Sequence, residues 1–143
     1  MSDFIIIDTD IVNFMPSFPP ATVVVAPGTM KGSGKANFSG KPICVEGDEK
    51  DVEVPGCMYI SGGFVIPGVG TLKIQALNAD QLATKTNSDG KKVILKGSMF
   101  TAVFEVQTPA QQPAPPSAPI PDPTPQYTGQ GQFVTTNLQW TAT

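Results

Sequence analysis

Apolar side chains in this chain come in short bursts, each closed by turn-forming residues. Phe4-Ile5-Ile6-Ile7, Val23-Val24-Val25, Ile43-Cys44-Val45, Met58-Tyr59-Ile60 and Phe64-Val65-Ile66 are each followed closely by Gly, Pro or Asp. Runs this short suit buried strands rather than helices. On this pattern a strand at Phe64–Ile66 ends at Pro67-Gly68. Longer segments alternate with period two, which places Leu72, Ile74 and Ala76 on one face and Phe100, Ala102, Phe104 and Val106 on another. Lys91 to Gly97 reads as a further strand, and only Asn78 to Ser88 has weak helical spacing, through Ala79, Leu82 and Ala83. The pattern predicts a mainly β chain with dense turns.

Composition divides the chain. Residues 1–20 form an N-terminal arm whose apolar Phe4–Ile7 suits a buried strand or one added to a neighbour's edge. Residues 21–108 read as the compact β domain. Residues 109–125 are a Pro/Ala/Gln tract expected as an extended linker reaching roughly 50 Å. Residues 126–143 form a C-terminal strand or arm in which Val134, Thr136, Leu138 and Trp140 point one way, and Phe133, Leu138 and Trp140 are its docking residues. A lone strand is not stable by itself. It is expected to dock beside Phe4–Ile7 or on another protein, and deletion of residues 109–143 is expected to release a partner without unfolding the domain.

Charge narrows the function. The chain has 143 residues, a net charge of -3 and no Arg. It therefore has no basic stripe for nucleic acid. Histidine is absent, which removes imidazole bases and every His-containing metal site. The start, Met1-Ser2-Asp3, lacks the basic region of a signal peptide, so synthesis in the cytoplasm is expected. There Cys44 and Cys57 are expected as buried thiols.

Three local motifs invite chemistry. A hydrophobic strand delivering Asp8-Thr9-Asp10 is how some phosphatases and nucleoside hydrolases present carboxylates, but the further acidic pair and the βαβ framework they need are absent. An Asx turn at a strand end is the simpler reading. Gly28 to Lys35 is Gly-rich with a terminal Lys, yet departs from a phosphate-binding loop and precedes no helix. Glu49 to Glu53 carries mixed charge, which reads as a solvated turn with weak Ca²⁺ potential.

The central unit is Gly40-Lys41-Pro42-Ile43-Cys44-Val45-Glu46-Gly47-Asp48. It resembles the G-K-P-V-A-x-x-G-D unit of PAAR and PAAR-like proteins, the spike tips of type VI secretion systems and related contractile injection particles. Cys57 followed by Ile60-Ser61-Gly62 is similar to that family's cysteine and following turn, and the resemblance covers roughly residues 21 to 106. It implies a small β-rich cone with pseudo-threefold symmetry. Gly40, Pro42, Gly47 and Asp48 would set a first turn unit, and Gly62, Gly63, Pro67 and Gly68 a second.

The resemblance also implies partners. The cone would cap the blunt end of a trimeric β-helical spike (VgrG-like), lead a phage-tail-like or secretion particle into a target membrane, touch that membrane transiently and carry effector cargo. The common type holds zinc through three histidines and a cysteine, which this chain cannot do. The expectation is therefore no metal and no cofactor, with a structural rather than catalytic role. A second reading is a small β-sandwich module that binds carbohydrate through Trp140, Tyr59 and Tyr127, and a third is a hydrolase using Asp8 and Asp10.

Overall fold

The computed structural model describes residues 3–38, 40–88, 90–135, 137 and 139–142. Its described secondary structure is strand apart from two short 3₁₀ turns, Asp48–Asp51 and Ala79–Gln81. The chain passes three times through the same cycle. The first pass contains β1 (Asp3–Phe4), β2 (Ile11–Phe14), β3 (Ser17–Phe18), β4 (Ala21–Val23) and β5 (Gly28–Thr29). The second contains β6 (Asn37–Phe38), β7 (Lys41–Pro42), β8 (Glu53–Ser61) and β9 (Phe64–Ala76). The third contains β10 (Leu82–Ser88), β11 (Lys91–Ile94), β12 (Phe100–Thr108), β13 (Gln111–Gln112), β14 (Ile120–Pro121), β15 (Gln126–Val134) and β16 (Thr141–Ala142).

Each pass opens on a two-stranded ribbon, crosses the molecular axis, and then sends an antiparallel excursion into one shared sheet. The ribbons are β1–β16, β6–β7 and β10–β11. The sheet runs β3-β4-β8-β9-β12-β15-β2-β5, with β13 and β14 branching from β9. Its two ends come from one stretch of chain: β4 pairs with β8, β5 pairs with β2, and between them the Val24 amide donates to the Met58 carbonyl at 2.8 Å. The sheet thus curls round on itself, which hides strand edges that would otherwise recruit other chains.

Alternation explains the interior. Phe14, Phe18, Tyr59, Leu72, Phe100, Phe104 and Phe133 fill the curled sheet. Aromatic edges meet faces, as in Phe14 against Phe100 with centroids 5.6 Å apart at 81°. Of the face predicted for Phe100, Ala102, Phe104 and Val106, the first three are buried and Val106 is half-buried, and of Leu72, Ile74 and Ala76 the first two are buried and Ala76 is exposed.

Several expectations change. Phe64–Ile66 does not end at Pro67-Gly68, because β9 continues to Ala76. The register against β8 shifts between Tyr59 and Ser61, and a proline is tolerated at such an irregularity because no ladder bond from its nitrogen is needed. Asn78–Ser88 forms a single 3₁₀ turn and then β10. Residues 109–125 lie along the domain, with Gln111 across from Ile66 and Gln112 across from Ile120. In β15 the inward phase is Tyr127 and Phe133, not Val134, and Thr136 and Leu138 fall outside the described residues. The C-terminal strand docks on its own chain, with Phe4 across from Thr141 and Asp3 across from Ala142.

Candidate functional site: a threefold strand triangle

Where the three passes cross the axis they build a triangle from Ile5-Ile6-Ile7, Ile43-Cys44-Val45 and Val93-Ile94-Leu95. The corners are antiparallel bridges, Ile7 with Ile43, Val45 with Val93 and Leu95 with Ile5. The central residues close a ring of backbone bonds. The Cys44 amide donates to Ile6 at 2.8 Å, Ile94 to Cys44 at 3.0 Å and Ile6 to Ile94 at 3.0 Å. A second ring lies beside it: Asp8 donates to the Pro42 carbonyl, Glu46 to Lys92 and Lys96 to Phe4, all at 2.8 Å. Each strand thus gives and receives the same bonds, so the triangle is pseudo-threefold in its backbone.

The side chains follow the same order. Ile6, Cys44 and Ile94 belong to the core inside the curled sheet. Their neighbours Ile5, Ile7, Ile43, Val45, Val93 and Leu95 join a second core with Ala83 and Ala142. After each strand the backbone turns through positive φ at equivalent positions, Thr9 at 70°, Gly47 at 107° and Gly97 at 55°. Two of the turns are tied by a carboxylate. Asp10 Oδ2 accepts the Ile7 amide and Asp48 Oδ2 accepts the Val45 amide, both at 2.9 Å. The third has Ser98 there; Leu95 instead donates to the Gln81 carbonyl at 2.9 Å, while Asp3 and Asp80 receive the Gly97 and Ser98 amides.

The residues singled out in the sequence divide between two ends. Gly40 makes the β6–β7 turn, Pro42 and Gly47 belong to the triangle, and Asp48 also accepts from the Ser33 amide and hydroxyl. Gly62 and Gly63 make the β8–β9 turn at the opposite end. Pro67 and Gly68 lie inside β9, where Gly68 lets the chain at Thr108 and Ala110 approach: a Cβ there would sit 2.4 Å from backbone atoms of both. Phe133 is core, whereas Trp140 stacks on Phe38 at the ribbon end, with centroids 6.0 Å apart. Leu138 lies outside the described residues.

The triangle's first and third strands were not singled out as counterparts of the second. The signal was present. Gly40-Lys41-Pro42-Ile43-Cys44-Val45-Glu46-Gly47-Asp48 aligns with Gly90-Lys91-Lys92-Val93-Ile94-Leu95-Lys96-Gly97-Ser98, sharing the glycines, a lysine and three apolar positions.

The motifs weighed for other chemistry are absorbed into this scaffold. Asp10 is buried and receives the Thr135 hydroxyl at 2.6 Å, while Asp8 receives the Gly32 amide. Gly32 and Gly34 pack against the Pro42–Ile43 backbone instead of ringing an open anion site. Among the described residues no group of three His, Cys, Asp or Glu side chains could hold a metal ion. Burial, then the carboxylates of Asp48, Asp10 and Asp8, push the Cys44 thiol far up, so it stays protonated. Tyr59 and Tyr127 are buried against each other, so neither is open to a sugar as the second reading required.

An all-β domain built by three passes around one axis, with its distinctive residues spent on turns and strand junctions, has the build of a structural protein. The sequence profile described as contractile injection system spike tip protein matches residues 1–143, and the chain belongs to that family. Its place is therefore at the tip of a contractile injection particle. No curated protein matches the chain.

Proposed function

We propose that this chain seats its triangle and three ribbons on the blunt end of a trimeric β-helical spike, one chain per trimer, and that the opposite end leads. The observation that carries this is the cyclic bonding of Ile6, Cys44 and Ile94. A trimeric β-helix ends in three equivalent sets of unpaired backbone groups and an apolar interior. A single chain can meet all three only by presenting similar structure three times, and the β1–β16, β6–β7 and β10–β11 ribbons do so.

On this reading Gly40, Pro42, Gly47 and Asp48 shape the seat, and Gly62, Gly63, Pro67 and Gly68 shape the leading end. The Phe38–Trp140 stack marks one ribbon of the seat and distinguishes it from the other two. The chain is made in the cytoplasm and mounted on the spike before the particle fires, with effector cargo as a further partner.

The test is the mass of the chain mixed with trimeric spike proteins encoded beside it. A complex of one chain per trimer, with a shift in fluorescence of Trp140, is the expected result. A monomer that ignores every such spike overturns the proposal.

A further inference from the structure

The three ribbons repeat in position but not in charge. Lys41 lies across from Phe38 in β6–β7, Lys91 across from Ser88 in β10–β11, and Asp3 across from Ala142 in β1–β16. These three hold equivalent places, each two residues before a triangle strand. Two of them are lysines. Asp3, at the third place, accepts the Phe4 and Gly97 amides at its carboxylate, both at 2.8 Å.

Further cations gather around Lys91. Lys85 and Lys92 are exposed on the same ribbon. The Lys35 amide donates to Ser88 Oγ at 3.2 Å, which brings the loop before β6 against β10. A cleft of about 60 Å³ lies between Ser33, Lys35, Ser88 and Lys91, room for a group the size of a carboxylate. Glu46 is exposed beside them, with its amide on the Lys92 carbonyl, and Asp89 stands between β10 and β11 in the sequence, outside the described residues. Lysine still predominates here, although the whole chain carries a net charge of -3. Among the described residues none of Lys41, Lys85, Lys91 and Lys92 forms an ion pair, and the pairs of Lys73 belong to the sheet.

An ammonium covered by another protein must meet a carboxylate or lose its hydration uncompensated. A trimer with one acidic residue at its end offers that residue three times, and Lys41 and Lys91 stand where two of those copies would fall. The absence of arginine and the negative net charge turn the patch away from nucleic acid.

We infer that the cationic side of the seat, centred on Lys41 and Lys91, recognises carboxylates on the blunt end of the spike. This rests on the seat reading above and gives the partner its chemistry.

The unaltered chain, the ribbon variant Lys41→Gln with Lys91→Gln, and the control Lys31→Gln with Lys50→Gln would each be titrated with the trimeric spike encoded beside it. Lys31 and Lys50 are exposed and lie outside the ribbons, so the control removes the same charge from elsewhere. The ribbon variant is expected to weaken the one-to-three complex at least about tenfold, chiefly through slower association, and the control to change it less than about twofold, with circular dichroism unchanged in both. Association of the unaltered chain is expected to slow at least about tenfold between roughly 0.05 and 0.5 M salt, a reading that needs no variant and decides alone if the ribbon variant misfolds. Equal affinity of the ribbon variant and the unaltered chain, or a rate indifferent to salt, overturns the inference and leaves the seat standing. Equal weakening in both variants assigns the effect to net charge and overturns it too. An unaltered chain that forms no complex overturns the seat reading and the inference with it.

Discussion

The Tyr127 hydroxyl donates to Asp122 Oδ2 at 2.6 Å, joining β15 to the end of the proline-rich segment. Tyr59 donates to the same oxygen at 2.8 Å, and its own oxygen accepts the Ala110 amide at 3.0 Å. The Asp122 amide in turn donates to the Ala110 carbonyl at 2.8 Å. One carboxylate therefore fastens residues 110–122 to two strands of the sheet.

Asp122→Ala leaves the buried Tyr59 hydroxyl short of an acceptor and Tyr127 with only Ser61 Oγ, and is expected to cost roughly 2–4 kcal/mol, read from denaturant midpoints. Proteolysis between residues 109 and 121 is expected to accelerate in the same variant.

Burial alone would raise the Asp122 pKa, but bonds from Tyr127, Thr124 and Tyr59 outweigh it and hold the group below its ordinary value. A depressed folded value stabilises above the unfolded pKa. Stability is therefore expected to fall as pH drops below about 4. Burial pushes Tyr59 up to about 12, with the Ala110 amide opposing and Asp122 adding to the rise. A raised value stabilises below the unfolded pKa, so a second loss is expected as pH climbs from about 10 toward that value. Thermal unfolding across pH in wild type and Asp122→Asn checks both limbs; the acid limb attributed to Asp122 is absent from the variant.

Thr9 and Gly47 occupy equivalent turns at positive φ, yet only one is glycine. Gly47→Ala is expected to destabilise by about 1 kcal/mol, and Thr9→Gly to be neutral or stabilising by a similar amount. Opposite signs in urea midpoints are the signature; equal losses would show that the turns are not equivalent.

Cys44 and Cys57 are buried and unpaired. Neither thiol is expected to react with an aromatic disulfide reagent until the chain unfolds, when both do so together. Because Ile6 and Ile94 hold the equivalent places, Cys44→Val is expected to change stability by less than about 1.5 kcal/mol.

Deleting residues 109–143 removes β15 from between β12 and β2, and β16 from β1. The truncated chain is expected to lose cooperative unfolding and most near-ultraviolet dichroism. A folded truncation product would show that these strands are an appendage.

The β class, the short strands and the burial of Phe100, Ala102 and Phe104 were legible in the sequence, because period-two alternation and turn residues are local signals. The unit from Gly40 to Asp48 also stood out, since its two glycines, Gly40 and Gly47, turn at positive φ. Its first copy was harder to see. Thr9 replaces the glycine and Ser98 replaces the aspartate of the third, so the repeat survives mainly as three apolar residues before a turn.

The partners of those residues were decided by tertiary structure. No local preference makes Ile7 bridge Ile43 and Leu95 bridge Ile5; the triangle forms because each strand has unpaired backbone on both sides and two counterparts able to satisfy it. The proline-rich segment has no apolar period to place it, and its course is set by Asp122 and by the space left at Gly68. Sequence by itself therefore determined which pieces are strands and where they turn. Only the fold decided that three of them close a ring, because long-range hydrogen bonds and packing leave no periodic trace in the chain.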